Sequence, residues 1–216
     1  MIIRLETNRR QGGARNEALR YAEGKYIRFL DSDDVLPPDS TKRLYEIAET
    51  YELEMLQFGH INFKGEFNKE PVCMKNPEVI TIENDRDRHF FLAGRKWTCT
   101  HHMRLYRTDF VKRVDTAFAE NLIYEEPLFV YPMYFYARKI GVTDEVMYYR
   151  RLHNSSTMHS ETLKRLRDNP KVQFMLMKDL IGRKLLEEFY YEIESYFLEN
   201  YYLITLYNIF TEECGL

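Results

Sequence analysis

Apolar and polar residues alternate in a pattern that predicts two successive strand–helix units at the start of the chain. Residues 2–6 form a short apolar run, and residues 26–30 form a second, more compact one. After each run, apolar residues recur at the three- and four-residue spacing of a helix. These stripes are Ala14, Ala18, Leu19 and Ala22 in the first unit and Leu44, Ile47 and Ala48 in the second. The β-α-β-α order favours a parallel α/β sheet.

Beyond residue 53 the pattern predicts further short strands, followed by a long helical region. The strands are expected at residues 55–63, 79–82, 103–106 and 140–149, and helices at residues 85–92 and 127–137. From residue 161 the chain is predicted to be helical almost to its end. Interruptions are expected at Asn169-Pro170, where proline disfavours a helix interior, and at Gly182.

Charge and cysteine content narrow the class of protein. The 31 Lys and Arg residues nearly balance the 34 Asp and Glu residues, and a net charge of −3 disfavours a dedicated nucleic-acid binder. The three cysteines, Cys73, Cys99 and Cys214, are widely spaced and fit neither a disulfide framework nor a zinc–thiolate site. The sequence shows neither a membrane-spanning apolar run nor a signal-peptide pattern. We expect a cytoplasmic protein, with peripheral attachment to the inner face of a membrane as an option.

Three carboxylates follow the apolar run at residues 26–30, in the sequence Asp31-Ser32-Asp33-Asp34. At the end of a buried strand, such residues lie where α/β sheets bind ligands. Their mutual repulsion is relieved when their oxygens coordinate a divalent cation. The same residue types are common in turns and as helix N-caps. Taken alone, this cluster leaves a binding site and a structural turn equally open.

An ordered set of short motifs surrounds the carboxylates. Asn8 is followed by Gly12-Gly13-Ala14-Arg15-Asn16, Ala22-Glu23-Gly24, Tyr26 and Phe29-Leu30-Asp31-Ser32-Asp33-Asp34. This run resembles that of family 2 glycosyltransferases with the GT-A fold, N-x-G-x-x-x-A-R-N-x-G-L-x-x-A-x-G-x-[YF]-[IV]-x-F-[LV]-D-x-D-D. Residues 118–129 look like the family's F-x-E-x-x-x-x-E-D-x-x-F region, and residues 148–157 look like its Y-x-Y-R-x-x-x-x-S-x-T segment. Together the resemblance covers about residues 1–160.

The resemblance implies both a fold and an activity. The implied fold is α/β, a partial GT-A mixed sheet flanked by helices over residues 1–160, with a helical C-terminal extension over residues 161–216. The implied enzyme moves a sugar from a nucleotide-diphosphate donor, most often a UDP-sugar, to a hydroxyl group of a glycan or lipid-linked glycan. Such a transfer is expected to invert the anomeric carbon and to serve surface polysaccharide synthesis.

The resemblance also implies roles for individual residues. Asp33 is the expected ligand of Mn²⁺ or Mg²⁺, and Asp31, the second expected metal ligand, lies against the ribose or sugar of the donor. Arg15 is expected to face the nucleotide, where a guanidinium at a helix N-terminus suits an anion. Glu126 replaces the family's usual Asp and is expected to be the general base on the acceptor hydroxyl. Alternatively, Glu125-Glu126-Pro127 only starts a helix.

Side chains from two further segments complete the candidate site. Arg150 and His153 belong to a loop that, in the family, folds over the donor diphosphate, where cations offset the leaving-group charge. The choice between these residues and Arg151 stays open. His101 and His102 are adjacent in sequence, and because adjacent residues in an extended segment point to opposite faces, their side chains are expected to diverge. We interpret them as part of an acceptor-pocket wall and not as a metal site.

One departure from the family pattern bears on activity. The family's V-S-V-I-I-P-x-Y-N strand and D-D-G-S turn normally precede these motifs, and this chain contains neither. We therefore expect a truncated chain, for which a non-catalytic remnant is an alternative function. A second alternative is a haloacid-dehalogenase-like phosphatase, because residues 27–36 also resemble its h-h-h-h-D-x-D-x-[TV]-L motif. The other motifs of that family are not found.

A stripe of apolar residues recurs at helical spacing in the C-terminal region. It consists of Leu185, Leu186, Phe189, Tyr190, Ile193 and Phe197. We predict that it packs against the preceding domain. A membrane-surface helix is disfavoured because the polar positions are rich in glutamate and poor in Lys and Arg. An oligomer contact is the alternative.

Overall fold

A five-stranded sheet forms the centre of the protein. A computed structural model describes residues 1–65, 76–94, 98–152, 162–203 and 206. The strands are β1 (Tyr26–Arg28), β2 (Met55–Phe63), β3 (Glu78–Thr81), β4 (Arg104–Arg107) and β5 (Lys139–Arg151). Their order across the sheet is β1-β4-β2-β5-β3. The sheet is therefore not arranged in chain order.

The sheet is mixed, which confirms the α/β fold class with a mixed sheet. β2 and β5 are parallel, whereas β4 is antiparallel to both β1 and β2, and β3 is antiparallel to β5. The purely parallel sheet that the β-α-β-α order favoured is wrong, because β4 lies between β1 and β2. β4 suits this interior position because Leu105 and Tyr106 are both buried, each in a different hydrophobic cluster.

Helices cover both faces of the sheet. They are α1 (Arg10–Arg20), α2 (Ser40–Thr50), α3 (Asp85–Gly94), α4 (Thr108–Val114), α5 (Glu126–Val130), α6 (Thr162–Gly182), α7 (Leu185–Glu188) and α8 (Tyr190–Phe197). Two 3₁₀ turns span His101–Met103 and Tyr131–Phe135, and a π-helical turn spans Leu198–Leu203. The predicted inner face of α2 is confirmed, since Leu44, Ile47 and Ala48 are buried in one cluster. The larger cluster joins α4, α5, α6 and α8.

Residues 2–6 do not form the predicted strand. Ile2 is 97% exposed, and this segment has no regular secondary structure. An extended segment becomes a strand only when its backbone groups pair with a neighbour. None of the described strands lies beside residues 2–6, so the apolar run alone does not suffice.

Helix α6 continues through Pro170, contrary to the predicted interruption at Asn169-Pro170. Proline removes one backbone hydrogen bond from a helix. Val172, Leu176 and Leu180 follow it at helical spacing and are completely buried. Packing of this face stabilises the helix beyond the proline. The expected interruption near Gly182 is confirmed, because α6 ends there.

The C-terminal helices pack against the preceding part of the chain, as predicted from their apolar stripe. Leu185, Phe189 and Ile193 are buried in the cluster that also contains residues of α4 and α5. Tyr196 stacks on Tyr131, with ring centroids 4.0 Å apart. In the described part of the chain, no helix combines the length and apolar character needed to cross a membrane. The domain boundary near residue 160 stays a prediction.

Ile193→Ala tests whether the C-terminal helices are part of the folded unit. Ile193 is completely buried, so truncation is expected to lower the free energy of unfolding by about 2–5 kcal/mol. Leu198→Ala is the control, because Leu198 is half exposed, and a change within about 0.5 kcal/mol is expected. Urea unfolding followed by circular dichroism measures both values. Equal stability of the two variants would contradict the packing of α8.

Candidate active site

One buried glycine, Gly12, allows helix α1 to dock closely on a distant loop. A Cβ atom at Gly12 would collide with the carbonyl oxygen of Ala119. The contact is fastened by Asn16, whose Nδ2 donates to the Phe118 carbonyl at 2.9 Å and whose Oδ1 accepts from the Phe118 N–H at 2.8 Å. The Gly12-Gly13-Ala14-Arg15-Asn16 motif therefore holds the first turns of α1 against residues 118–120.

This docking places Arg15 between two acids. Its Nη2 atom donates to Asp31 Oδ1 at 2.7 Å, and its Nη1 atom donates to Glu125 Oε1. The guanidinium also lies over the Phe118 ring, 5.4 Å from its centroid. Only 12% of the Arg15 side chain is exposed. Burial opposes the charge, but the two carboxylates outweigh it and raise the pKa of Arg15, so it remains a cation.

The Asp31-Ser32-Asp33-Asp34 turn is fixed to strand β5. The Asp31 N–H donates to Tyr148 Oη at 3.2 Å, and Tyr148 Oη donates to Asp34 Oδ2 at 2.6 Å. The other Asp34 oxygen accepts the Arg151 N–H at 2.7 Å, and Arg151 Nε donates to the Asp33 carbonyl at 3.1 Å. The Asp34 carboxylate is thus used to hold the turn, whereas Asp33 is exposed.

His101 and His102 lie in a 3₁₀ turn and both approach Glu126. His101 Nδ1 is hydrogen-bonded to Glu126 Oε1, and His102 Nδ1 lies 3.7 Å from the same oxygen. The predicted strand begins only at Arg104, so the expectation that the two histidines face opposite ways is wrong. Successive side chains of a 3₁₀ turn are about 120° apart, which allows both rings to face one side.

The charge states at this contact follow from burial and hydrogen bonding. Burial lowers the pKa of His101 despite the nearby Glu126, so the imidazole is neutral at pH 7. Burial would raise the pKa of Glu126, but the hydrogen bond from His101 and the nearby His102 ring outweigh it and hold that pKa below its ordinary value. A carboxylate only accepts, so His101 Nδ1 carries the proton. The result is an ionised Glu126 held by a neutral imidazole donor.

A group of possible metal ligands lies beside this contact. Ligand atoms of Asp31, His101 and His102 lie within 4.8 Å of one another, so the two histidines, which the sequence analysis did not count as a metal site, are placed where they could hold an ion. His101 Nε2 and both ring nitrogens of His102 are buried and have no hydrogen-bond partner in the described part of the chain. One oxygen and two imidazole donors suit Mn²⁺ better than Mg²⁺, which prefers oxygen ligands alone. Asp33 is not a member of this group.

The structure brings some of the predicted site residues together and separates others. Arg15, Asp31 and Glu126 lie in one region. Arg15 contacts Asp31 directly, and Glu126 is linked to Asp31 through His101. Arg150 lies on β5 opposite Asn62 of β2, and it is Arg151 that contacts the carboxylate turn. His153 lies outside the described residues, as does the segment that follows it to residue 161.

Sequence reasoning missed the partners that position the acids. His101 holds Glu126, Arg15 holds Glu125, and Tyr148 holds Asp34. For Tyr148 a signal was available, because it belongs to the segment at residues 148–157 that resembles the family pattern. For His101, the sequence showed two adjacent histidines, but it did not predict the 3₁₀ turn that directs both side chains toward Glu126.

Comparison with known proteins gives the same class of protein as the fold and the carboxylate site, a glycosyltransferase. The sequence model of glycosyl transferase family 2 matches residues 1–115. The putative glycosyltransferase EpsH of Bacillus subtilis is 25% identical over 161 residues, covering 70% of this chain and 44% of that protein. The poly(ribitol-phosphate) beta-N-acetylglucosaminyltransferase TarS of Staphylococcus aureus is 24% identical over 212 residues, covering 97% of this chain and 35% of that protein.

A solved structure shares the fold. The crystal structure of S. aureus TarS 1-349 in complex with UDP-GlcNAc superposes with a TM-score of 0.59 and 25% identity, covering 79% of this chain and 48% of that chain. Because the family match spans more than half of the sequence, the chain belongs to glycosyl transferase family 2. It spans less than half the length of these relatives. Residues 27–36, which suggested a phosphatase, lie within the family match.

Gly12→Ala tests the docking of α1 that places Arg15. The added methyl group forces the helix away from the Ala119 carbonyl, and we expect a loss of about 1–3 kcal/mol in the free energy of unfolding. Gly182→Ala is the matched control, since a Cβ there meets no atom within 4 Å, and it is expected to be neutral or slightly stabilising. Both values come from urea unfolding. A Gly12→Ala protein as stable as the control would show that α1 docks differently.

Proposed function

We propose that this chain carries the catalytic site of an inverting glycosyltransferase that uses a UDP-sugar. The observation that carries the proposal is that Glu126 and Asp31 both lie next to the turn at His101 and His102, in a chain that belongs to family 2. The similar TarS structure contains UDP-GlcNAc, which supports a nucleotide-sugar donor here. The acceptor is proposed to be a hydroxyl group of a glycan in surface polysaccharide synthesis.

Donor binding is assigned to the carboxylate turn and its neighbours. Asp31 and Asp33 would hold Mn²⁺ or Mg²⁺, and the buried nitrogens of His101 and His102 next to Asp31 favour Mn²⁺. When bound, the ion supplies positive charge that stabilises the departing diphosphate. Arg15 is engaged by two acids, so its role is to position Asp31.

A second group of cations is assigned to the diphosphate end of the donor. Arg150 and His153 are proposed to contact the diphosphate, where cationic side chains offset the negative charge of the leaving group. Arg151 binds the Asp33 carbonyl through its side chain and the Asp34 carboxylate through its backbone N–H. Its role is therefore to orient the turn and not to contact the donor.

Proton removal from the acceptor hydroxyl is assigned to Glu126. Both histidines approach Oε1, so Oε2 takes up the proton. The hydrogen bond from His101 fixes the carboxylate in orientation and keeps it ionised, as a general base requires. Glu125 cannot share this role, because Arg15 neutralises it and it is buried. Attack by the deprotonated hydroxyl opposite the leaving diphosphate inverts the anomeric carbon.

Glu126→Gln tests the base. The amide cannot accept the proton, so turnover is expected to fall by about 10²-fold or more, while UDP binding stays nearly unchanged. UDP release measures turnover, and titration calorimetry measures binding. Glu125→Gln is the comparison, and it is expected to lower stability more than turnover. A Glu126→Gln chain that turns over like wild type would refute the assignment. A wild-type chain that binds UDP without turnover favours the non-catalytic alternative.

Asp33→Asn tests the metal assignment without relying on activity. Loss of a carboxylate ligand is expected to weaken Mn²⁺ binding in the presence of UDP by about tenfold or more. The electron paramagnetic resonance signal of free Mn²⁺ reports the bound fraction. Asp39→Asn is the control, because Asp39 is an exposed carboxylate at the start of α2, and no change is expected. Equal Mn²⁺ affinity of the two variants would remove Asp33 from the site.

A further inference from the structure

His101 and His102 are buried histidines with ring nitrogens that lack hydrogen bonds. The exposed fraction is 1% for His101 and 7% for His102. Within the described ranges of the chain, His101 Nε2 and both ring nitrogens of His102 have no hydrogen-bond partner. A buried polar atom without a partner is unfavourable, and few occur in folded proteins. These three nitrogens therefore indicate a ligand that is not part of the chain.

The contact with Glu126 determines which nitrogen of His101 is available to such a ligand. His101 Nδ1 donates its proton to Glu126 Oε1, so the lone pair of the neutral ring lies on Nε2. Histidines that bind metals commonly have this arrangement, with one nitrogen on the ion and the N–H of the other donating to a carboxylate. His101 thus has the tautomer and the hydrogen bond of a metal ligand.

Asp31 contributes an oxygen to the same place. One ligand atom of Asp31, one of His101 and one of His102 lie within 4.8 Å of one another. An ion among three atoms at this spacing lies no more than about 2.8 Å from each, compared with about 2.0–2.2 Å in zinc sites. Side-chain movements of less than about 1 Å therefore close the three ligands around an ion.

Aromatic side chains hold both imidazole rings in place. His101 packs edge-on against Phe29 and Phe118, with ring centroids 5.3 and 5.2 Å away. The His102 ring lies 4.9 Å from that of Tyr148. Ligands whose rotamers are fixed by packing and by hydrogen bonds favour metal binding, because little freedom is lost when the ion arrives.

The surrounding charges and the ligand types favour a divalent transition metal. Asp31 and Glu125 share the guanidinium of Arg15, whereas Glu126 is paired with the neutral ring of His101. Three carboxylates and one guanidinium leave an excess of negative charge, which a divalent cation offsets. Two imidazoles and one carboxylate are a ligand set that Zn²⁺ uses, whereas Mg²⁺ prefers oxygen ligands.

We propose that Asp31, His101 and His102 bind a divalent transition metal ion, with Zn²⁺ preferred, before any nucleotide binds. His101 contributes Nε2, and Glu126 orients its ring from the other side. The ion joins the carboxylate turn to the turn that holds Glu126, and three protein ligands leave one coordination position open. This site shares Asp31 with the donor-binding residues assigned above, but it does not include Asp33. Its existence does not depend on the proposed transfer reaction.

His102→Phe tests the site on the full chain without nucleotide. Phenylalanine keeps a ring against Tyr148 and removes both unpartnered nitrogens, so the metal-free variant is expected to be at least as stable as wild type. Calorimetric titration of the metal-free proteins with Zn²⁺ is expected to show binding to wild type and about tenfold or more weaker binding to His102→Phe. Zn²⁺ is expected to raise the Tm of wild type but not that of the variant.

Co²⁺ and Mg²⁺ provide independent measurements. Co²⁺ in the site is expected to give visible absorption bands that the His102→Phe substitution removes. Mg²⁺ without nucleotide is expected to change neither the calorimetric signal nor the Tm, because the ligand set contains two nitrogens.

His89→Phe is the matched control. His89 lies on α3, where its ring packs 4.8 Å from that of Phe189 and its Nδ1 contacts Glu192. This variant is expected to bind Zn²⁺ like wild type. Asp33→Asn is expected to do the same without nucleotide, because Asp33 is not one of the three ligands. The proposal is overturned if wild type does not bind Zn²⁺, or if His102→Phe binds it no more weakly than either comparison variant.

A parallel UDP titration separates this proposal from the proposed function. A chain that binds UDP but does not bind Zn²⁺ through His102 overturns the histidine site and leaves the donor site standing. A chain that binds Zn²⁺ through His102 but does not bind UDP retains the metal site and overturns the transferase function.

Discussion

The guanidinium of Arg15 joins three segments of the chain that are far apart in sequence. It lies on α1, and it binds Asp31 at the end of the first strand region and Glu125 at the start of α5. Arg15 and Glu125 are largely buried. Removing one partner of a buried ion pair leaves an unpaired charge and costs about 3–5 kcal/mol. The position of the Asp31-Ser32-Asp33-Asp34 turn relative to Glu125 and Glu126 therefore depends on the Arg15 side chain.

Local sequence patterns were sufficient to predict individual strands and helices whose apolar residues have a clear spacing. The alternation over residues 55–63 predicted β2 with its observed bounds, and the stripe in residues 44–48 predicted the buried face of α2. The order of the strands was not predictable in this way, because β4 reaches its place between β1 and β2 from far along the chain. The apolar residues 2–6 failed as a strand for the same reason. Strand pairing depends on which segments lie side by side in the fold, and the periodicity of apolar residues along the chain contains no information on this.

The candidate site shows the same division between local and distant information. The family resemblance identified Arg15, Asp31 and Glu126, whose motifs are short and ordered, and the fold brings these residues to one region. It did not identify the contacts that hold them. β5 continues two residues past its predicted end, which places the Arg151 N–H against Asp34. Because the strand extends through residues 150 and 151, it is Arg151, and not Arg150, that binds the Asp31-Ser32-Asp33-Asp34 turn.

The adjacent acids Glu125 and Glu126 have different roles because the backbone separates their side chains. At a helix start, successive side chains diverge by about 100°, so one carboxylate reaches Arg15 and the other reaches His101. Beneath them, the stacked rings of Phe118 and Phe129, 4.1 Å apart, fix the helix in place. An acid paired with a permanent cation has no free charge to draw a proton. An acid held by a neutral imidazole keeps its charge, so the geometry of the helix start, more than residue type, makes Glu126 and not Glu125 the proposed base.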